Sequence, residues 1–163
     1  MDNTTTQQLQ DAYKEARTRL ALVLDTLSEN DLSKRLGACP NSIGFLLRHI
    51  GDVELLFAKN VFKMSGVQVK AQTIIDQKDT GAWLNLVELQ AYLLHSFTSI
   101  TAAIAKQQDS SWQDSVETKE FGTKTKAEAF GRIISHTAYH AGQLAILQKY
   151  GQTNLNPLQQ TVV

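Results

Sequence analysis

The sequence predicts an all-α protein, a four-helix bundle with a crossover connection between the second and third helices. Three observations carry that prediction. Four long segments repeat apolar residues in steps of three and four, the period of a helix with one buried stripe. Only two prolines occur in 163 residues, so little of the chain is barred from helix. Polar stretches separate the segments, and three of the four open on residues suited to cap free backbone amides. Amphipathic helices of this length bury their stripes only against one another, which favours a bundle.

The first helix is expected over residues 4–27, with Leu9, Tyr13, Ala16, Leu20, Val23 and Leu27 as its seam. Residues 28–37 read as a polar connector. Asn41 or Ser42, after Pro40, caps a second helix that runs to Met64. Its stripe is Ile43, Leu46, Ile50, Val53, Phe57, Val61 and Met64, with His49 beside it. Ser65 and Gly66 break the pattern, and residues 67–78 read as an irregular connection, long enough for a crossover. Asp79 and Thr80 are placed to cap a third helix over residues 81–106. The inner face of that helix reads as Trp83, Leu86, Val87, Leu93, Leu94, Phe97, Ile100 and Ile104. Residues 107–124 are polar, with a hairpin expected around 116–121 and Trp112 either overhanging the bundle end as a lid or packing there. Thr125 and Glu128 have the spacing of a capping box. The fourth helix then continues to Tyr150 and stops at Gly151, read as a left-handed cap.

Length and composition bound the class. The 163 residues suit a single domain with a core over about residues 5–150 and a loose tail at 151–163. Sixteen basic and sixteen acidic residues cancel, so no net field points to nucleic acid or an anionic membrane as partner. One cysteine allows no disulfide framework, and the first residues lack the basic and apolar parts of a signal peptide. No apolar run approaches the roughly 18 residues a membrane span needs. A cytoplasmic protein is the expectation.

The chemistry lies in the histidines, of which there are four. His136 and His140 are four apart, a spacing that sets two imidazoles on one face of a helix. They stand mid-stripe with Ile133, Thr137, Leu144 and Leu147, where an imidazole needs a hydrogen-bond partner or a metal. A third imidazole from a neighbouring helix, His49, would complete a facial set that holds a borderline divalent ion and leaves a position open. Two satisfied core histidines would also fit the spacing. His95, beside Leu94 and Phe97, either approaches the same point or lies on the surface. Cys39, just before the second helix, reads as an inert small residue rather than a nucleophile. Phosphate-cradling glycine loops, nucleophile elbows and cysteine-metal clusters are missing from the sequence.

The run His-Thr-Ala-Tyr-His-Ala-Gly-Gln-Leu at 136–144 resembles the closing signature of the DinB-like, or YfiT-like, metalloenzymes. The run Asn-Ser-Ile-Gly-Phe-Leu-Leu-Arg-His-Ile-Gly-Asp-Val-Glu at 41–54 resembles that family's second helix, which carries its first metal histidine. The resemblance covers about residues 5–150 and implies an up-up-down-down type of bundle, a divalent metal and frequent homodimerisation. It maps the metal ligands onto His49, His136 and His140. Phe45 stands where many relatives carry tryptophan, and Ala141 where arginine is common; both are expected at the pocket mouth.

Three neutral imidazoles leave the charge of a bound ion uncompensated, which suits Lewis-acid chemistry or activation of water. Zinc and nickel are the leading metals. Each ring needs an acceptor for its other N–H, and Gln143 and Asp52 are the candidates; otherwise Gln143 joins two helices and Asp52 is a solvated charge. The resemblance implies a small-thiol S-transferase-like activity on a small-molecule substrate. Metal-assisted hydrolysis is the alternative enzyme reading, and a metal-binding stress or interaction protein without turnover is the alternative of another class. No side chain reads as a catalytic group in its own right.

Overall fold

The computed structural model describes residues 4–119 and 121–153. It is all-α apart from one small hairpin, with five helices rather than four. Helix α1 spans Thr5–Leu24 and opens on Thr4, whose hydroxyl accepts the Gln7 amide. Helix α2 spans Ile43–Leu56 and opens on Ser42, which accepts the Phe45 amide. It widens into a π turn over Phe57–Val61, where the Phe62 amide bonds back to the Phe57 carbonyl, and stops as Lys63 turns left-handed. The connection expected to be irregular holds the short α3, Gln72–Asp76. Helix α4 spans Leu86–Ala105, strands β1 and β2 (Ser115–Thr118 and Gly122–Thr125) pair antiparallel, and α5 spans Lys126–Tyr150. The capping box at Thr125 and Glu128 forms as the spacing predicts.

Each long helix packs on two others: α1 on α4 and α5, and α2 on α4 and α5. The side-chain pairings give their directions. Along α1, Thr6 bonds the Gln107 carbonyl, Tyr13 meets Phe97 and Arg17 bonds the Leu93 carbonyl, so α1 and α4 are antiparallel. Tyr13 also meets Phe130 and Thr26 meets Gln148, so α1 and α5 run parallel. Between α2 and α4, Gly44 abuts Trp83 while Glu54 bonds Ser96, which makes those two parallel. The connection between α2 and α4 must therefore return along the bundle, as the expected crossover does. The order of directions is up-down-down-up, not the up-up-down-down implied by the resemblance.

Four local readings are corrected and one, that of Trp112, is decided between its two alternatives. Asp79 does not cap α4, which starts on Asn85. Instead Asp79 accepts from the Ser42 amide at 2.8 Å, from Arg35 at 2.7 Å and from the Gly81 amide at 2.8 Å, tying the start of α2 to the crossover. Val87 and Leu94 lie on the exposed side of α4, while Leu89, Leu93, Ser96, Ile100, Ala103 and Ile104 face in. Trp112 is no lid: it is 1% exposed, packs on Phe62 and Phe130, and donates its indole N–H to Thr6. Gly151 has φ −69 rather than a left-handed turn, and a Cβ there would stand 2.4 Å from the Leu147 carbonyl oxygen. The tail is not loose from its first residue, because Gln152 and Arg35 exchange two backbone hydrogen bonds; residues 154–163 lie outside the described part.

A buried charge also sits in the core. Glu54 is fully buried and accepts from Arg17, from Tyr13 at 2.6 Å and from Ser96 at 2.6 Å, with the Arg17 guanidinium over the Phe97 ring. Every polar partner is thereby satisfied, the condition under which a buried ion pair is tolerated. Among the described residues no helix is long and apolar enough to cross a membrane.

Candidate metal centre

Helices α2 and α5 run antiparallel and bring His49, His136 and His140 to one point. One ligand atom of each ring lies within 4.8 Å of the others. His49 Nε2 and His136 Nε2 are 3.1 Å apart. The i, i+4 spacing on α5 supplies two of the rings, with centroids 4.4 Å apart. On α2, His49 stands one turn beyond Phe45, whose ring stacks on it at 5.9 Å with 5° between planes.

The far sides of two rings are tied down. Gln143 Oε1 accepts from His140 Nδ1 at 2.6 Å, and the Gln143 amide N–H₂ donates to the Tyr139 hydroxyl, which fixes which end of the amide faces the ring. Asp52 does not meet a histidine directly. Its Oδ2 accepts from both the Thr73 amide and the Thr73 hydroxyl, and the Thr73 oxygen stands 3.2 Å from His49 Nδ1. With its own proton directed to Asp52, that oxygen is left to accept the His49 N–H. Asp52 Oδ1 in turn accepts from Tyr92 at 2.6 Å and from Arg48 at 2.9 Å. Both hydrogen bonds place the ring proton on Nδ1 and leave Nε2 as a bare lone pair. His136 Nδ1 is buried and has no partner among the described residues.

Electrostatics point the same way. Burial, then the neighbouring His140, lowers the His49 pKa to about 4. Burial, then His140 and His49, lowers that of His136 to about 3. Burial lowers His140 too, opposed by its hydrogen bond to Gln143. All three are therefore neutral at pH 7, the form that ligates a metal. Two imidazole nitrogens facing each other at 3.1 Å cannot both present bare lone pairs: either one carries its ring proton and donates it to the other, or a metal lies between them. The cluster fits a divalent ion.

Two cavities flank it. One of about 210 Å³ is lined by Val53, Phe57, Arg132, Ser135 and His136. The other, about 140 Å³, lies on the Gln143 side and is lined by Leu36, Cys39, Asn41, Leu46, Ile146 and Leu147. His95 is exposed on α4 and stands outside the cluster. Cys39 is an exposed free thiol. Ala141 is not at a pocket mouth: it is 1% exposed within the core. Sequence reasoning missed Thr73 and Arg132. No local pattern marked Thr73, because its segment has no periodic stripe; Arg132 was findable, one turn before His136 on the same face.

No curated protein matches the chain. The family model of the DinB superfamily matches residues 12–144, a span that contains all three clustered histidines, the whole of α2 and most of α5. The chain belongs to the DinB superfamily.

Proposed function

We propose that this protein is a divalent-metal-dependent enzyme in which His49, His136 and His140 hold the ion, and that it acts as a small-thiol S-transferase. Zinc or nickel is the proposed metal, since both accept neutral imidazole well. A bound ion would supply a Lewis-acid centre for the sulfur or oxygen of a substrate. The chain's own residues do the rest. Gln143 and the pair Thr73–Asp52 hold two rings in the ligating tautomer, and Phe45 limits rotation of His49. Val53 and Phe57 form the apolar wall beside His136.

The observation that supports an enzyme over a metal-binding protein without turnover is the cavity of about 210 Å³ that reaches His136. A purely structural site is closed by protein ligands, whereas a catalytic one keeps access for a substrate. Cys39 lies across Gln143 from the cluster and is not assigned a role. We also take the working form to be a homodimer, supported by Val87 and Leu94, 72% and 65% exposed and a heptad apart on α4.

The test is a screen of metal-loaded protein with several small thiols and electrophiles, run beside ester and amide substrates. Thiol conjugation that His140→Ala abolishes and Cys39→Ser leaves intact supports the reading. Turnover confined to the esters or amides would replace it with a hydrolase. Loss of conjugation in Cys39→Ser with retention in His140→Ala would overturn the metal mechanism.

A further inference from the structure

Asp52 is the point where α4 reaches the metal centre, although α4 supplies none of the three clustered rings. The Asp52 carboxylate is fully buried and takes two hydrogen bonds on each oxygen. The Thr73 amide and hydroxyl occupy Oδ2 at 3.0 and 2.8 Å, and Tyr92 and Arg48 occupy Oδ1 at 2.6 and 2.9 Å. Arg48 stands one turn before Asp52 on α2 itself, so it moves with Asp52 and cannot fix it relative to another element. Tyr92 comes from α4. Its ring lies against Gly51, where a Cβ would stand 2.7 Å from the ring carbons Cδ1 and Cε1, so the reach of α4 to Asp52 depends on that glycine. The Arg48 guanidinium lies 3.8 Å from the Tyr92 ring centroid, which holds the ring as well as the hydroxyl. Burial, then the hydrogen bond to Asp52, raise Tyr92 above the ordinary phenol value, so it stays a donor.

A threonine hydroxyl has one proton to give and lone pairs with which to accept. At Thr73 the proton goes to Asp52 and the oxygen is left for His49 Nδ1 at 3.2 Å. Reversal of that one hydroxyl would donate to Nδ1 and put the ring proton on Nε2, removing the lone pair that faces His136. The ligating form of His49 therefore depends on Asp52 keeping its hold on the Thr73 proton. We propose that Tyr92 is a positioning residue for the metal centre: by fixing Asp52 from α4, it keeps Thr73 accepting at His49 and so sets the ligating tautomer of that ring. The consequence for metal affinity rests on the metal reading above, whereas the tautomer itself does not.

The experiment reads the ring tautomers of isotope-labelled histidine by long-range proton–nitrogen correlation in the metal-free protein at neutral pH, then titrates the same samples with cobalt(II). In the parent chain His49 should carry its proton on Nδ1. Tyr92→Phe keeps the ring and removes only the hydroxyl. It should shift His49 toward the Nε2–H form and lower cobalt affinity about tenfold, with the His140 tautomer unchanged because Gln143 fixes that ring separately. A merely structural role for Tyr92 would lower the melting temperature and move neither reading. An unchanged His49 tautomer in Tyr92→Phe, or a parent His49 protonated on Nε2, overturns the inference. A shifted tautomer with unchanged cobalt affinity overturns it as well. Failure of the parent chain to bind cobalt would overturn the metal reading instead, and the tautomers, read without metal, would still test the link from Tyr92 to His49.

Discussion

His49 Nε2 and His136 Nε2 stand 3.1 Å apart although 87 residues separate them in the chain. The antiparallel packing of α2 against α5 produces that approach, and the hydrogen bonds on the far sides of His49 and His140 decide which nitrogens face inward. The same relationship requires a ring proton or a metal between the two nitrogens, and His136 Nδ1 is buried without a partner among the described residues, a cost that an ion on the inner nitrogens would help to offset.

Thr73 is predicted to position His49. Thr73→Val keeps the shape but removes the oxygen that accepts from His49 Nδ1 and the proton that satisfies Asp52. Metal affinity, measured by competition with a chromophoric chelator, should fall about tenfold, and Thr73→Ser should restore it. Unchanged affinity in Thr73→Val would remove the relay from the account.

Acid should destabilise the metal-free protein through the histidines. Folded-state values of about 4 for His49 and about 3 for His136 lie below the ordinary 6.5, so between those values the unfolded chain binds more protons. Their contribution is complete above about pH 7 and is lost as pH falls through 6.5 toward 4 and 3, at up to about 1.4 kcal/mol per pH unit for each ring. In chelator, the urea midpoint should drop between pH 7.5 and pH 5. A flat midpoint across that window contradicts the burial of neutral rings.

The buried Arg17–Glu54 pair should matter for stability and not for metal binding. Arg17→Met leaves Glu54, fully buried, with hydroxyl partners alone. Breaking such a pair costs about 3–5 kcal/mol, readable as a shift in the urea midpoint. A cost under about 1 kcal/mol would mean the carboxylate is reached by water or takes up a proton.

Metal should stabilise the fold without being required for it. Two large clusters of buried apolar side chains join the four long helices, unlike a zinc finger, which lacks a sufficient core. Excess chelator should lower the melting temperature while far-UV helicity persists at room temperature. Unfolding by chelator alone at neutral pH would show that the core is not self-sufficient.

Much of this was legible in the sequence because helical period and spacing are local. The pair His136 and His140 follows from four-residue spacing, and His49 from its place beside the α2 stripe. The inner face of α4 was misread because its true stripe includes Ser96, a polar residue that Glu54 satisfies, while Val87 and Leu94 are apolar yet exposed. Arg17 was passed over for Ala16 for the same reason: its burial depends on a partner 37 residues away. Thr73 was beyond reach, since its role arises from the crossover folding back onto α2. Asp79 had the form of a cap residue but caps an earlier helix, a long-range use that no local rule distinguishes.

The most direct test is metal stoichiometry of untagged protein, by elemental analysis and titration, in the parent chain and in His49→Ala, His136→Ala and His140→Ala. One divalent ion per chain in the parent, and loss of tight binding in each of the three variants with helicity retained, is the predicted result. Full occupancy in His49→Ala would contradict the account, because the site would then not depend on the meeting of α2 and α5.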